Sequence, residues 1–170
     1  MKSEDPQSIF DNYLLVANRY LDYFESEPTG DKQNFLSKIQ CALIDLYRYG
    51  RVLPEVSSSG IEFDISFKRN DKQIQSMIEQ KVPFSAYWHT IDPFSLDQPE
   101  VGLGDLLDDL GDIYLDLKRA VLVFNSNVDG AKEESFWKFK FDFDYHVADH
   151  CISAMKAIHD YMGKDGYNGW

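Results

Sequence analysis

The chain has 170 residues, of which 44% are hydrophobic and 15% aromatic, and this composition is typical of one globular domain with a substantial core. Its 29 acidic residues outnumber 17 basic ones and give a formal net charge of −12, which argues against nucleic acid as a partner because phosphate binding needs a basic patch. The absence of a long apolar run and of a signal-peptide core leads us to expect a cytoplasmic protein with no membrane partner.

The first third of the chain predicts a pair of helices. Apolar residues recur at helical spacing from Pro6 to about Glu27, and again after a turn at residues 28–31. The second helix is expected to end near Gly50. A short loop between two amphipathic helices indicates that they pack antiparallel.

The middle of the chain is less regular. Residues 61–68, IEFDISFK, alternate apolar and polar and predict a short strand or an extended arm, whereas residues 70–82 predict a short helix. Residues 83–102 are rich in aromatics and proline, and so many rings in a loop predict that it packs over the core. An alternative role for this loop is to cover an apolar ligand pocket lined by Tyr87, Trp88 and Phe94.

From about Leu103 to Phe124 the pattern predicts an amphipathic helix that carries five aspartates. At about 100° per residue the carboxylates share one arc, and the apolar residues lie nearly opposite. In carboxylate-ligated di-metal bundles the acidic ligands lie on the packing face instead. The pattern therefore favours a solvated acidic face, with docking of a basic protein partner as its role, formed by Asp105, Asp109, Asp112 and Asp116.

Residues 136–161 fit two secondary structures. Apolar and polar residues alternate without a break from Trp137 to Val147, as in a half-buried strand. On a helical projection, however, most polar residues of the whole stretch fall on one narrow strip that continues through both halves. We therefore expect a single helix that is buried among others.

His146 and His150 are four residues apart on this helix, so both imidazoles project to one side and are spaced to chelate a metal. The glutamate that follows the first histidine in zinc-protease motifs is missing, because Val147 stands there. The candidate ligand set is His146, His150 and Asp142. Alternatives for the third ligand are Asp149 and His89.

The same histidines have a structural explanation. His146 would be held by a hydrogen bond from its ring to Asp142, and His150 would pack among apolar side chains. If a metal binds instead, Asp112 and Asp116 are candidates for outer carboxylates around it.

Four segments carry a resemblance in this order: LYRYGRVLP, YWHTIDPF, GLGDLLDDLGDIYLDLKRA and FDFDYHVADHCISAMKAIH. Together they resemble the bacterial family catalogued as domain of unknown function 5063, over about residues 40–160. The resemblance implies an α-helical domain built around the aspartate-rich and histidine-bearing helices, and it brings no established activity. The tryptophan-glycine pair expected after the first histidine is Val147-Ala148 here. Positions that match the family are Trp88, Asp92, Pro93, Asp109, Asp112, Asp116, Trp137, His146 and His150.

These patterns predict one all-α domain over residues 1–170, an up-and-down bundle of four to five helices with room for a small β element at residues 61–68. The acidic face favours a non-enzymatic interaction or regulatory module. The alternative is a metal-binding protein or a metal-dependent hydrolase that uses His146, His150 and nearby aspartates. The surroundings of the aspartates discriminate between the two, because carboxylates that face the histidine helix favour the metal.

Overall fold

A computed structural model describes residues 5–61, 63 and 70–167 of the chain. The elements in chain order are α1 (Pro6–Glu25), α2 (Lys32–Gly50), α3 (Asp71–Glu79), β1 (Ala86–Thr90), β2 (Val101–Asp105), α4 (Leu106–Phe124), α5 (Ala131–Asp142), a π-helical segment (Phe143–Val147) and α6 (Ala148–Tyr167). Since α5, the π segment and α6 follow one another without a break, they form one rod, and the described part of the chain contains five helical rods. The predicted all-α class is confirmed, whereas most of the predicted β element at 61–68 lies outside the described residues.

The first two helices match their predicted positions. Asp31 caps α2 by accepting a hydrogen bond from the Asn34 backbone amide at 3.0 Å, which satisfies one of the amides that a helix start leaves unpaired. α1 packs against α2 through a buried stripe at helical spacing. The stripe on α1 consists of Phe10, Tyr13, Val16, Ala17, Tyr20, Leu21 and Phe24.

Helix α4 lies inside the bundle, in contact with α1, α3, α5 and α6. Two hydroxyl groups from neighbouring helices donate to its backbone carbonyls: Tyr20 to Leu110 at 2.9 Å and Ser135 to Ala120 at 2.8 Å. A helix with neighbours on several sides buries more of its circumference than its apolar stripe alone.

The segment at 83–102 was predicted to be an irregular loop packed over the core, and this prediction is confirmed only for Phe84 and Tyr87, which pack against the core. It contains β1, which pairs antiparallel with β2, so that α4 begins at Leu106 rather than near Leu103. Because side chains alternate along a strand, Tyr87 packs toward the core while Trp88 points to solvent and is 73% exposed. Phe94, at the hairpin end, is 90% exposed, so neither Trp88 nor Phe94 covers the core or a pocket.

The stretch that alternates from Trp137 to Val147 is helical, as expected. Phe139 and Phe143 bury on the inner side of the rod, whereas Phe141 and Tyr145 are exposed on the other side. Phe143 is fully buried beside the rings of Tyr13 and Tyr47. The amide of Ala148 donates to the Phe143 carbonyl, five residues back, which is the hydrogen bond that defines a π turn. The π segment therefore begins at the residue that anchors the rod to α1 and α2.

The fit of Phe143 against Gly50 yields the first prediction. A Cβ atom at Gly50 would lie 2.2 Å from the Phe143 ring, so Gly50→Ala forces the ring or the π segment to move. We expect this substitution to lower the free energy of unfolding by about 1–3 kcal/mol in chemical denaturation.

Gly163→Ala is the matched control, because Gly163 lies in α6 with nothing within 4 Å of the added Cβ. It should raise stability by about 0.5–1 kcal/mol, since alanine is the better helix former. Equal stability of the Gly50→Ala variant and the wild type would show that the ring is not held there.

Candidate metal centre

The aspartates of α4 face the histidine-bearing rod across a shared contact. The expectation of a solvated acidic face is wrong for three of them: Asp109 is only 7% exposed, and the side chains of Asp112 and Asp116 are 18% and 13% exposed. Helical projection correctly placed these carboxylates away from the apolar stripe. It did not show that a second helix packs on that side as well.

Two carboxylates hold the two imidazoles by their Nδ1 atoms. Nδ1 of His150 lies 2.7 Å from Oδ1 of Asp109, and Nδ1 of His146 lies 2.7 Å from Oδ2 of Asp116. An ionised carboxylate only accepts hydrogen bonds, so each Nδ1 carries the proton. In the neutral rings the lone pairs therefore reside on Nε2. Carboxylates commonly fix metal-binding histidines in this orientation.

The two Nε2 atoms converge with a third carboxylate. They lie 3.1 Å apart, and Oδ2 of Asp112 lies 3.7 Å from Nε2 of His146 and 3.8 Å from Nε2 of His150. The circle through the corners of a triangle with these sides has a radius of about 2.1 Å, which is the length of a Zn–N or Zn–O bond. One ion can therefore reach all three atoms at bonding distance.

This arrangement favours a positive charge between the two rings. Two imidazole lone pairs that face each other at 3.1 Å repel, and a neighbouring carboxylate adds negative charge. A metal ion or a proton relieves the repulsion. The hydrogen bond to Asp109 raises the pKa of His150, against the opposing effect of partial burial.

The centre is partly open to solvent. The His146 side chain is 44% exposed, whereas that of His150 is 20% exposed. His146 lies in the π segment, where the wider turn changes the direction of the side chains that follow. Single π turns within α-helices occur frequently at functional sites.

Comparison with known proteins identifies the family. The profile described as "Domain of unknown function (DUF5063)" matches residues 4–163. The chain belongs to this family. A crystal structure of protein BF1032 from Bacteroides fragilis is similar in fold, with a TM-score of 0.74, 18% identity, and coverage of 90% of this chain and 94% of that one. No curated protein matches.

Among the described residues, no helix is both long and apolar enough to cross a membrane.

In this DUF5063 chain the proposed third ligand, Asp142, lies outside the triangle of ligand atoms. Within the described residues the group that can hold an ion is Asp112, His146 and His150. Oδ2 of Asp142 is buried, and Nζ of Lys138 lies 3.5 Å from it. The expected hydrogen bond from His146 to Asp142 is wrong, because the ring bonds to Asp116, which projects from a helix distant in sequence.

The other candidate residues have separate surroundings. Asp105 is exposed and caps α4, accepting from the Leu107 amide at 2.8 Å. Asp149 is exposed, and the ring of His89 stacks edge-on against Tyr87. The sequence analysis did not assign Asp112 as a direct ligand. The i, i+3 and i+7 spacing of Asp109, Asp112 and Asp116 does indicate that the three carboxylates lie on one side of the helix.

The buried carboxylate of Asp142 gives a prediction for stability against pH. Burial raises the pKa of Asp142 to about 6, well above the ordinary value of an aspartate, so the folded state disfavours its ionised form. The resulting destabilisation is present above the folded pKa and disappears as pH falls toward the unfolded value. We expect Asp142→Asn to stabilise the protein by about 1–2 kcal/mol near pH 8, and the gain to shrink as pH falls through 6.

Thermal unfolding across this pH range checks the prediction, and Asp160→Asn is the control. Asp160 also pairs with a lysine four residues away, Lys156, but both side chains are exposed. Its substitution should change stability by less than about 0.5 kcal/mol at either pH. A gain for Asp142→Asn that does not vary with pH would contradict the assignment.

Proposed function

We propose that this protein binds one divalent transition-metal ion through Nε2 of His146, Nε2 of His150 and Oδ2 of Asp112. The observation that carries the proposal is the convergence of these three atoms, with separations of 3.1, 3.7 and 3.8 Å, on a point equidistant from all of them. Two carboxylates behind the rings support it, because they hold each imidazole with its lone pair toward that point.

The donor set indicates the kind of centre. Two imidazoles and one carboxylate suit zinc and the other late first-row divalent ions, whereas calcium and magnesium prefer oxygen ligands alone. Catalytic zinc sites use three protein ligands and keep a position for water or substrate, while structural sites are closed by four. The set proposed here has three, so a metal-dependent hydrolase is the finer hypothesis that it supports.

Docking of a basic protein partner has weaker support. Asp109 and Asp116 are bonded to histidines, and Asp109 is buried, so neither side chain is presented to a partner. Asp105 is exposed at the start of α4. An interaction surface formed by the four aspartates stays a prediction, and the metal centre takes precedence because it uses three of them.

Metal analysis and calorimetric titration with Zn²⁺ test the proposal directly. Wild-type protein should bind one equivalent, and both His150→Ala and Asp112→Asn should weaken binding by more than about 100-fold, since loss of an outer partner alone weakens a metal site 10–100-fold. His159→Ala is the matched control, because His159 is an exposed histidine on the same helix. It should bind zinc as the wild type does.

Stability measurements separate ligand loss from unfolding. Saturating zinc should raise the melting temperature of the wild type and of His159→Ala, because an ion that binds only the folded state stabilises it. Asp112→Asn should remain folded without this rise, as the amide keeps the shape of the carboxylate. A wild-type protein that binds no zinc, cobalt or manganese would refute the proposal and leave the proton as the cation between the rings.

A further inference from the structure

The carboxylate of Asp109 is held at both of its oxygens. Oδ1 bonds to Nδ1 of His150 at 2.7 Å, and Oδ2 accepts a hydrogen bond from the Tyr87 hydroxyl at 2.5 Å. Tyr87 comes from the β hairpin, not from either helix of the centre. Partial burial and the hydrogen bond to Asp109 raise the pKa of Tyr87 well above its ordinary value, so the hydroxyl stays protonated and remains a donor.

We infer that Tyr87 is a positioning residue of the metal centre: by fixing the Asp109 carboxylate, it orients the His150 ring so that Nε2 faces the ion. The inference rests on the metal-binding function proposed above. Tyr87 acts through Asp109 and has no contact with the ion, so its effect is on affinity and on the tautomer of His150.

The hairpin leaves space for the Tyr87 side chain. In the strand register Tyr87 is opposite Gly104, and a Cβ atom at Gly104 would lie 2.4 Å from Cζ of the tyrosine ring. The Tyr87 ring therefore lies across the neighbouring strand, in space that is free because residue 104 is a glycine. The Leu106 amide donates to the Ser85 carbonyl at 2.7 Å, which fixes the hairpin base to the start of α4, the helix that carries Asp109.

The second carboxylate–histidine pair is held differently. Asp116 bonds to Nδ1 of His146 through Oδ2, and its Oδ1 lies 3.6 Å from a guanidinium nitrogen of Arg119 on the same helix. Tyr87 therefore supports only one of the two histidines. Because Asp116 rather than Asp109 holds Nδ1 of His146, the tautomer of His146 serves as an internal control for a change of tautomer at His150.

Packing is the competing explanation for Tyr87, since its ring lies partly buried against the core. Tyr87→Phe separates the two roles, because phenylalanine keeps the ring and removes only the hydroxyl. A packing role predicts that this variant is equivalent to the wild type at the centre. A positioning role predicts that His150 changes while the fold is retained.

The experiment compares wild-type and Tyr87→Phe protein by two readouts. In metal-free protein at alkaline pH, ¹⁵N spectra of the imidazoles should show His150 losing its preference for a proton on Nδ1, with His146 unchanged. Calorimetry should show zinc affinity falling about 10-fold, within the range for loss of an outer partner. Tyr145→Phe is the matched control, because Tyr145 precedes His146 and is 75% exposed, and it should alter neither readout.

A second substitution displaces the hydroxyl instead of removing it. Gly104→Ala pushes the Tyr87 ring away and should weaken zinc binding to a similar extent. In the Tyr87→Phe background the alanine should weaken it no further, because residues that act through one hydrogen bond are not additive. Full additivity of the two losses in zinc affinity would contradict the inference.

The two possible failures are distinguishable. If the wild type binds zinc and Tyr87→Phe shows the same affinity and the same His150 tautomer, the inference is wrong and the proposed metal centre stands. Absence of zinc binding by the wild type overturns both.

Discussion

The structure depends on the contact between the acidic side of α4 and the histidine-bearing rod. Carboxylates withdrawn from water are unfavourable unless they are hydrogen-bonded, and Asp109 and Asp116 meet this requirement with the Nδ1–H groups of His150 and His146. Satisfying these carboxylates fixes both imidazoles with their Nε2 atoms toward each other. The contact that satisfies these two largely buried carboxylates therefore also brings two imidazole lone pairs together, where a cation would be favourable.

Elements distant in sequence keep this contact in register. Phe143 sits against Gly50 at the start of the π segment, which sets where the rod turns before it reaches His146. On the other side of α4, the hairpin supplies Tyr87 to Asp109. His150 is thus held through Asp109 and, behind it, through the hairpin, whereas His146 is held through Asp116 of α4 alone. The candidate ligand atoms are therefore positioned by side chains of the regular elements of the bundle.

Periodicity predicts the helices well, because most of them have an apolar stripe and a recognisable start or end. It fails where a residue's surroundings depend on other elements. The projection of α4 gives the direction of Asp109, Asp112 and Asp116 relative to the apolar stripe, but the number of neighbouring helices is a property of the whole bundle. The pair of Tyr87 and Gly104 is likewise invisible in sequence, since the signal is one missing side chain in a strand of five residues.

Asp112 is the residue whose substitution separates the two cations that the facing imidazoles could accept. A proton bridges only the two Nε2 atoms, whose separation of 3.1 Å suits one hydrogen bond. At 3.7 and 3.8 Å, Oδ2 of Asp112 is too far from either nitrogen for a hydrogen bond, although it is within ion-pair distance of a protonated ring. Those distances are the separations expected between two ligands of one ion, because atoms about 2.1 Å from a common centre lie between 3 and 4 Å from each other. A shared proton needs only the two imidazoles, whereas the ion of our proposal also uses Asp112, so Asp112→Asn should weaken metal binding and leave the imidazole pair able to share a proton.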